Sequence, residues 1–136
     1  MIKNKYLDDL GIPQNQYGTN FCDERTDKRA KRWEEQKKIY GFDDRETWNL
    51  NTIFVEWLYS RLMMYKEEAS KIVDLTYYKF TWKEKEITQI EAIDILIEEC
   101  KFYLLNCEEL DKEKEAVERI QDALKLWADI FPNMWW

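Results

Sequence analysis

The stretch from Trp48 to Tyr65 constrains this chain more than any other. It reads Trp-Asn-Leu-Asn-Thr-Ile-Phe-Val-Glu-Trp-Leu-Tyr-Ser-Arg-Leu-Met-Met-Tyr. At a helical step of about 100° per residue, Ile53, Trp57 and Met64 share one side. Phe54, Leu58, Leu62 and Tyr65 fill the next arc, and Val55, Tyr59 and Met63 carry the apolar surface to the far side. Two polar gaps interrupt it: a narrow sector of Glu56, Ser60 and Glu67, and a second made by Arg61 and Glu68. A helix this apolar on nearly every side is expected to be central and enclosed. Truncating Phe54 or Trp57 to Ala is then expected to cost roughly 3–5 kcal/mol.

The totals bound what can surround it. A chain of 136 residues suffices for a single domain, residues 1–136, with one core. Three glycines and two prolines supply few tight turns, which disfavours an all-β fold. The net charge of −7 repels bulk duplex nucleic acid and anionic membranes. No apolar run approaches the ~20 residues of a membrane span, and the first nine residues carry acids where a signal peptide needs an apolar region. Cys22, Cys100 and Cys107 form no Cys-x-x-Cys and read as reduced thiols of a cytoplasmic protein. Histidine is absent, which removes the commonest general base and metal ligand.

In chain order, residues 3–10 suit a short helix with Tyr6, Leu7 and Leu10 inward, ended by Gly11. Residues 14–22 are polar and aperiodic, a loop pinned by Tyr17 and Phe21. A charged helix is predicted from about Asp23 to Tyr40, with Ala30, Trp33 and Tyr40 on one side and Gly41 beyond its end. Asp43 and Glu46 have the spacing of a capping box, and the central helix follows over about 51–70. Residues 72–82 are rich in β-branched and aromatic side chains, so a short β-hairpin is predicted within about 74–87. Thr88 and Glu91 form a second capping box. The helix it opens buries Ile90, Ile93, Leu96, Ile97, Cys100, Tyr103 and Leu104. A last helix, from near Glu109 to Phe131, buries Val117, Ile120, Ala123, Leu124, Trp127 and Phe131. The fold class is therefore mainly α: a small helical bundle around the central helix, with one hairpin.

Three groups of residues could carry function. Arg25, Lys28, Arg29 and Arg32 make a cationic helix face in an acidic protein, flanked by Trp33 and Tyr40, with Arg45 and Trp48 near in sequence. Guanidinium groups grip phosphates and rings stack on bases, so this set is the candidate ligand site for a nucleotide-like anion. Its plainer reading is a solvated face balanced by Glu24, Asp27, Glu34 and Glu35. Glu91, Asp94 and Glu98 line one helix face and supply half of a carboxylate Mg²⁺ site for a nucleotide pyrophosphohydrolase. The plainer reading is the wet side of an amphipathic helix, and neither a metal nor a cofactor is part of the main reading. Met134, Trp135 and Trp136 form an apolar tail that either folds back or packs into a partner.

The run from Tyr40 to Leu50 (Tyr-Gly-Phe-Asp-Asp-Arg-Glu-Thr-Trp-Asn-Leu), the aromatic-rich helix containing Arg61-Leu62 and the ending Phe131-Pro132-Asn133-Met134-Trp135-Trp136 resemble a family of small proteins from phages and mobile elements of Gram-positive bacteria. The likeness covers roughly residues 17 to 136. It implies an accessory protein of the bacterial host cytoplasm that binds and disables a host component, and it supplies no catalytic residue. Three functions are therefore open. A non-enzymatic binder could sequester a nucleotide-derived immune signal through the arginine face. An acidic inhibitor could block a nucleic-acid-binding, CRISPR-type defence enzyme. A Mg²⁺-dependent nucleotide hydrolase could use Glu91, Asp94 and Glu98. The aromatic load and the tryptophan tail also suit a homodimer.

Overall fold

A computed structural model of the protein describes residues 4–12 and 28–136. The loop predicted at 14–22, the first residues of the charged helix, Cys22 and Arg25 lie outside them. The fold is mainly α with one short antiparallel hairpin. The chain forms two compact units, residues 1–54 and 55–136.

In the first unit, α1 spans Lys5–Asp9, capped by the Asn4 side chain, and Leu7 is its buried residue. Helix α2 (Ala30–Tyr40) closes on Gly41, whose φ of 83° is the left-handed conformation that a helix end commonly needs. Trp33 is its buried side chain. Tyr40, expected on the same side, is exposed, because it sits in the last turn and leans on Phe42 instead. The Asp43–Glu46 capping box forms as predicted and opens a single 3-10 turn, Asp44–Thr47. Helix α3 then runs over Leu50–Ala69, and the boundary between the units falls within it.

The second unit holds the larger part of α3, the strands β1 (Lys79–Trp82) and β2 (Lys85–Thr88), α4 (Gln89–Asn106) and α5 (Glu113–Ile130). The strands pair in register from Lys79 opposite Thr88 to Trp82 opposite Lys85. Lys83 and Glu84 make the two-residue turn with φ of 47° and 67°. Both sit in the left-handed region without being glycine, at a cost of about 1–2 kcal/mol each. Thr88 ends β2 and caps α4 through the predicted box with Glu91. Arg119 of α5 clamps α4 by a two-pronged bond to Glu99 at 2.8 and 3.0 Å, its guanidinium 3.6 Å from the Phe102 ring. The buried stripe of α5 is Ala116, Ile120, Ala123, Leu126 and Ile130. Ile120 and Ala123 are buried as predicted, whereas Val117 and Phe131 are exposed and Leu124 and Trp127 half-buried, their places in the core being taken by Ala116, Leu126 and Ile130. The helix also begins at Glu113 rather than near Glu109. No helix among the described residues is long and apolar enough to cross a membrane.

The central helix is where expectation and structure part. Val55, Leu58, Tyr59 and Leu62 are buried, as predicted, and Glu56 and Ser60 of the first polar gap are buried with them, while Glu67 of that gap is exposed. The other polar gap faces out: Arg61 is exposed with Trp57 and Met64, and its guanidinium lies 4.7 Å from the Trp57 ring centre. Trp57 keeps 47% of its surface in water. The enclosed helix is thus a two-faced one, and the large cost expected for Trp57 does not apply. Leu58→Ala is expected to lower stability by about 2–5 kcal/mol and Trp57→Ala by roughly 1 kcal/mol. Urea denaturation of the two variants gives the order; a larger loss for Trp57 would reverse the assigned faces.

Candidate functional site

The cationic residues near α2 are organised around one indole. Trp33 is buried at 2% exposure. The Arg29 guanidinium lies 4.9 Å from its ring centre and that of Arg45 4.1 Å, while Trp48 meets it edge-on at 6.4 Å. Arg29 also approaches the Trp48 ring, at 5.5 Å. The Trp33 ring nitrogen donates to Asp44 Oδ1 at 2.9 Å.

Carboxylates from the 3-10 turn and its cap take up two of the guanidiniums. Arg32 Nη2 donates to Asp44 Oδ2 at 2.5 Å. Arg45, fully buried, makes parallel bonds to Asp43, Nε to Oδ1 at 3.0 Å and Nη2 to Oδ2 at 2.7 Å. The Asp43 carboxylate also accepts the Arg45 backbone N–H, and Asp44 N–H donates to Gln36 Oε1. Burial pushes the Asp43 carboxyl up, but the hydrogen bonds and charge of Arg45, with Lys37 beyond, outweigh it and hold it below its ordinary value. The segment Asp43-Asp44-Arg45-Glu46 is therefore a structural knot that locks α2 to the turn before α3.

Arg32 and Arg45 are engaged by acids of their own unit, and Tyr40 stands in solvent apart from the cluster. Lys28, Arg29 and Trp48 remain at the surface; Arg25 is outside the described residues. The acids that hold Arg32 and Arg45, Asp44 and Asp43, come from the turn and its cap.

The carboxylate row is also occupied otherwise. Glu91 Oε1 accepts the Thr88 backbone N–H at 3.1 Å and its hydroxyl at 2.9 Å, closing the cap of α4; the Thr88 N–H and hydroxyl bonds hold the Glu91 carboxyl below its ordinary range. Asp94 pairs with Lys66 at 2.6 Å. Among the described residues no group of three or more His, Cys, Asp or Glu side chains could hold a metal ion. The two described thiols are poor nucleophiles: burial pushes Cys100 up to about 12, and burial with nearby acids raises Cys107.

The C-terminal residues present the clearest surface feature. The chain leaves α5 through a 3-10 turn, Phe131–Asn133, in which Pro132 fits an early helical position. The following backbone is then tied to the second unit. Gln89, itself buried, donates its side-chain N–H to the Asn133 carbonyl at 3.1 Å and lies 3.5 Å from Met134 Sδ. Tyr65 donates its hydroxyl to the Trp135 carbonyl at 3.1 Å. The tail folds back, yet its rings do not: Trp135 and Trp136 are 66% and 57% exposed, and Phe131 is exposed beside half-buried Trp127, ring centres 5.6 Å apart. Sequence reasoning found the two tryptophans and missed their anchors. Gln89 was visible only as a residue inside a capping box, and nothing local says that its amide reaches the far end of the chain.

Comparison with family models, curated proteins and solved structures finds no match to this chain.

Proposed function

We propose that the protein is a non-catalytic binding protein that docks a cationic surface of another protein through its C-terminal aromatic platform. The observation that carries this is the arrangement of the tail, whose backbone is held by Gln89 and Tyr65 while its indoles face water. Ordering has thus been completed before binding, and Trp is the side chain that most often dominates a protein interface. The partner's charge follows from the net −7 of the chain and from exposed Glu91 and Asp129, each two residues in sequence from Gln89 or Phe131. The resemblance to mobile-element proteins favours a host component, and a nucleic-acid-binding defence enzyme has the cationic surface required. Capture of a nucleotide signal is the second reading. It rests on exposed Lys28 and on the exposed Trp48 ring, with the Arg29 guanidinium 5.5 Å from its centre.

The test is photo-crosslinking in bacterial lysate from a benzophenone placed at position 136, with Trp135→Ser as the matched control on a circular-dichroism-verified fold. A discrete basic protein crosslinked by the first and at least about tenfold less by the second, and lost in high salt, is the expected result. Crosslinks unchanged by Trp135→Ser, or a crosslink only to a second copy of the chain, would overturn the assignment.

A further inference from the structure

A groove of about 750 Å³ runs between α3 and α4 within the second unit. It is lined by three turns of each helix, residues 59 to 70 on one side and 90 to 101 on the other, which makes a trough about 16 Å long at 1.5 Å per residue. Tyr59, Met63, Ile90 and Ile97 supply an apolar floor. Acids outnumber amines on the walls: Glu67, Asp94 and Glu98 against Lys66 and Lys101. The Lys66–Asp94 pair joins the helices midway, and both partners are about half exposed. An exposed pair of this kind exchanges partners at little cost.

We infer that this groove receives a basic amphipathic helix of another protein, laid along the trough with its apolar stripe on the floor. The length matches about three helical turns, and apolar residues of such a helix at i, i+4 and i+7 recur with the same spacing as the floor residues. Its flanking Lys or Arg side chains meet Glu98, and can take Asp94 from Lys66. The excess of acid in the walls and the net charge of the chain select a cationic helix over an acidic one of the same apolar pattern. The groove shares no residue with the tryptophan platform, so either site can fail alone.

The experiment is a titration of the ¹⁵N-labelled full chain with a helical peptide of roughly 15 residues carrying Leu at i, i+4 and i+7 and Lys or Arg beside them. Its matched control has Glu at every basic position. The basic peptide is expected to move amides of residues 59–70 and 90–101, and Glu98→Lys to weaken it about tenfold. Trp135→Ser should leave that affinity unchanged. Shifts confined to other segments, equal binding of the acidic peptide, or an unaltered affinity in Glu98→Lys would each overturn the inference.

Discussion

Replacing Glu56 with Met is expected to stabilise the protein at neutral pH by about 1–4 kcal/mol. The side chain is 3% exposed, and neither carboxylate oxygen has a hydrogen-bond partner among the described residues. Ser60, one turn on, donates to the Glu56 backbone carbonyl and leaves the carboxylate unaided. Burial pushes the carboxyl from 4.5 up to about 8. In the unfolded chain the group has lost its proton by pH 6, while in the folded chain it still holds it. The stabilisation from this group is thus complete below the unfolded value and is lost as pH rises towards 8, by about 1.4 kcal/mol per unit. Denaturation midpoints between pH 5 and pH 9 should therefore fall with pH in the parent and much less in Glu56→Gln. A Met variant less stable than the parent at pH 8, with parallel pH profiles, would contradict the burial of an unpaired carboxyl.

The second large effect has the opposite chemistry. Asp43→Ala leaves the buried Arg45 guanidinium without its two-pronged acceptor, and a loss of about 3–5 kcal/mol is expected. Arg45→Ala should cost as much, since it also removes the cation stacked on Trp33. Arg45→Lys should rescue little, because one ammonium cannot make both bonds. The double replacement should cost less than the sum of the single ones, the coupling expected of groups in direct contact. Asp43 holds its proton less readily than an ordinary aspartate, so its contribution is present above the unfolded value and is lost as pH falls through the lower folded one. Additive losses, or parental stability in the Arg45→Lys variant, would show that the knot is not what fixes this segment.

What could be read from the sequence was local. Both capping boxes formed where Asp43 with Glu46 and Thr88 with Glu91 placed them, since a box needs only its own four residues. The helix ending at Gly41, the hairpin before Thr88 and the buried face of α4 through Ile93, Leu96, Ile97 and Cys100 followed from the same short-range rules. The errors concerned orientation. Helix α3 carries two polar gaps, and nothing within the helix says that Glu56 and Ser60 turn inward while Arg61 faces water. The partners of Arg32 and Arg45 were equally hard to read. Asp44 reaches Arg32 from twelve residues on, and Asp43 holds Arg45 within the turn itself, outside the reach of helix spacing. Gln89 and Tyr65, which hold the tail, are dozens of residues from the carbonyls they bind, beyond what any window of sequence discloses.

The tail is fixed by its backbone and open at its rings, and the exchange of indole N–H protons with solvent measures this directly in the unbound protein. Seven indole signals are expected, one for each tryptophan. That of Trp33, bonded to Asp44 and enclosed, should exchange slowly, while those of Trp135 and Trp136 exchange orders of magnitude faster. Their backbone signals should nevertheless be as well ordered as those of α5. Tail indoles as protected as that of Trp33 would mean that the rings are buried and that no platform exists.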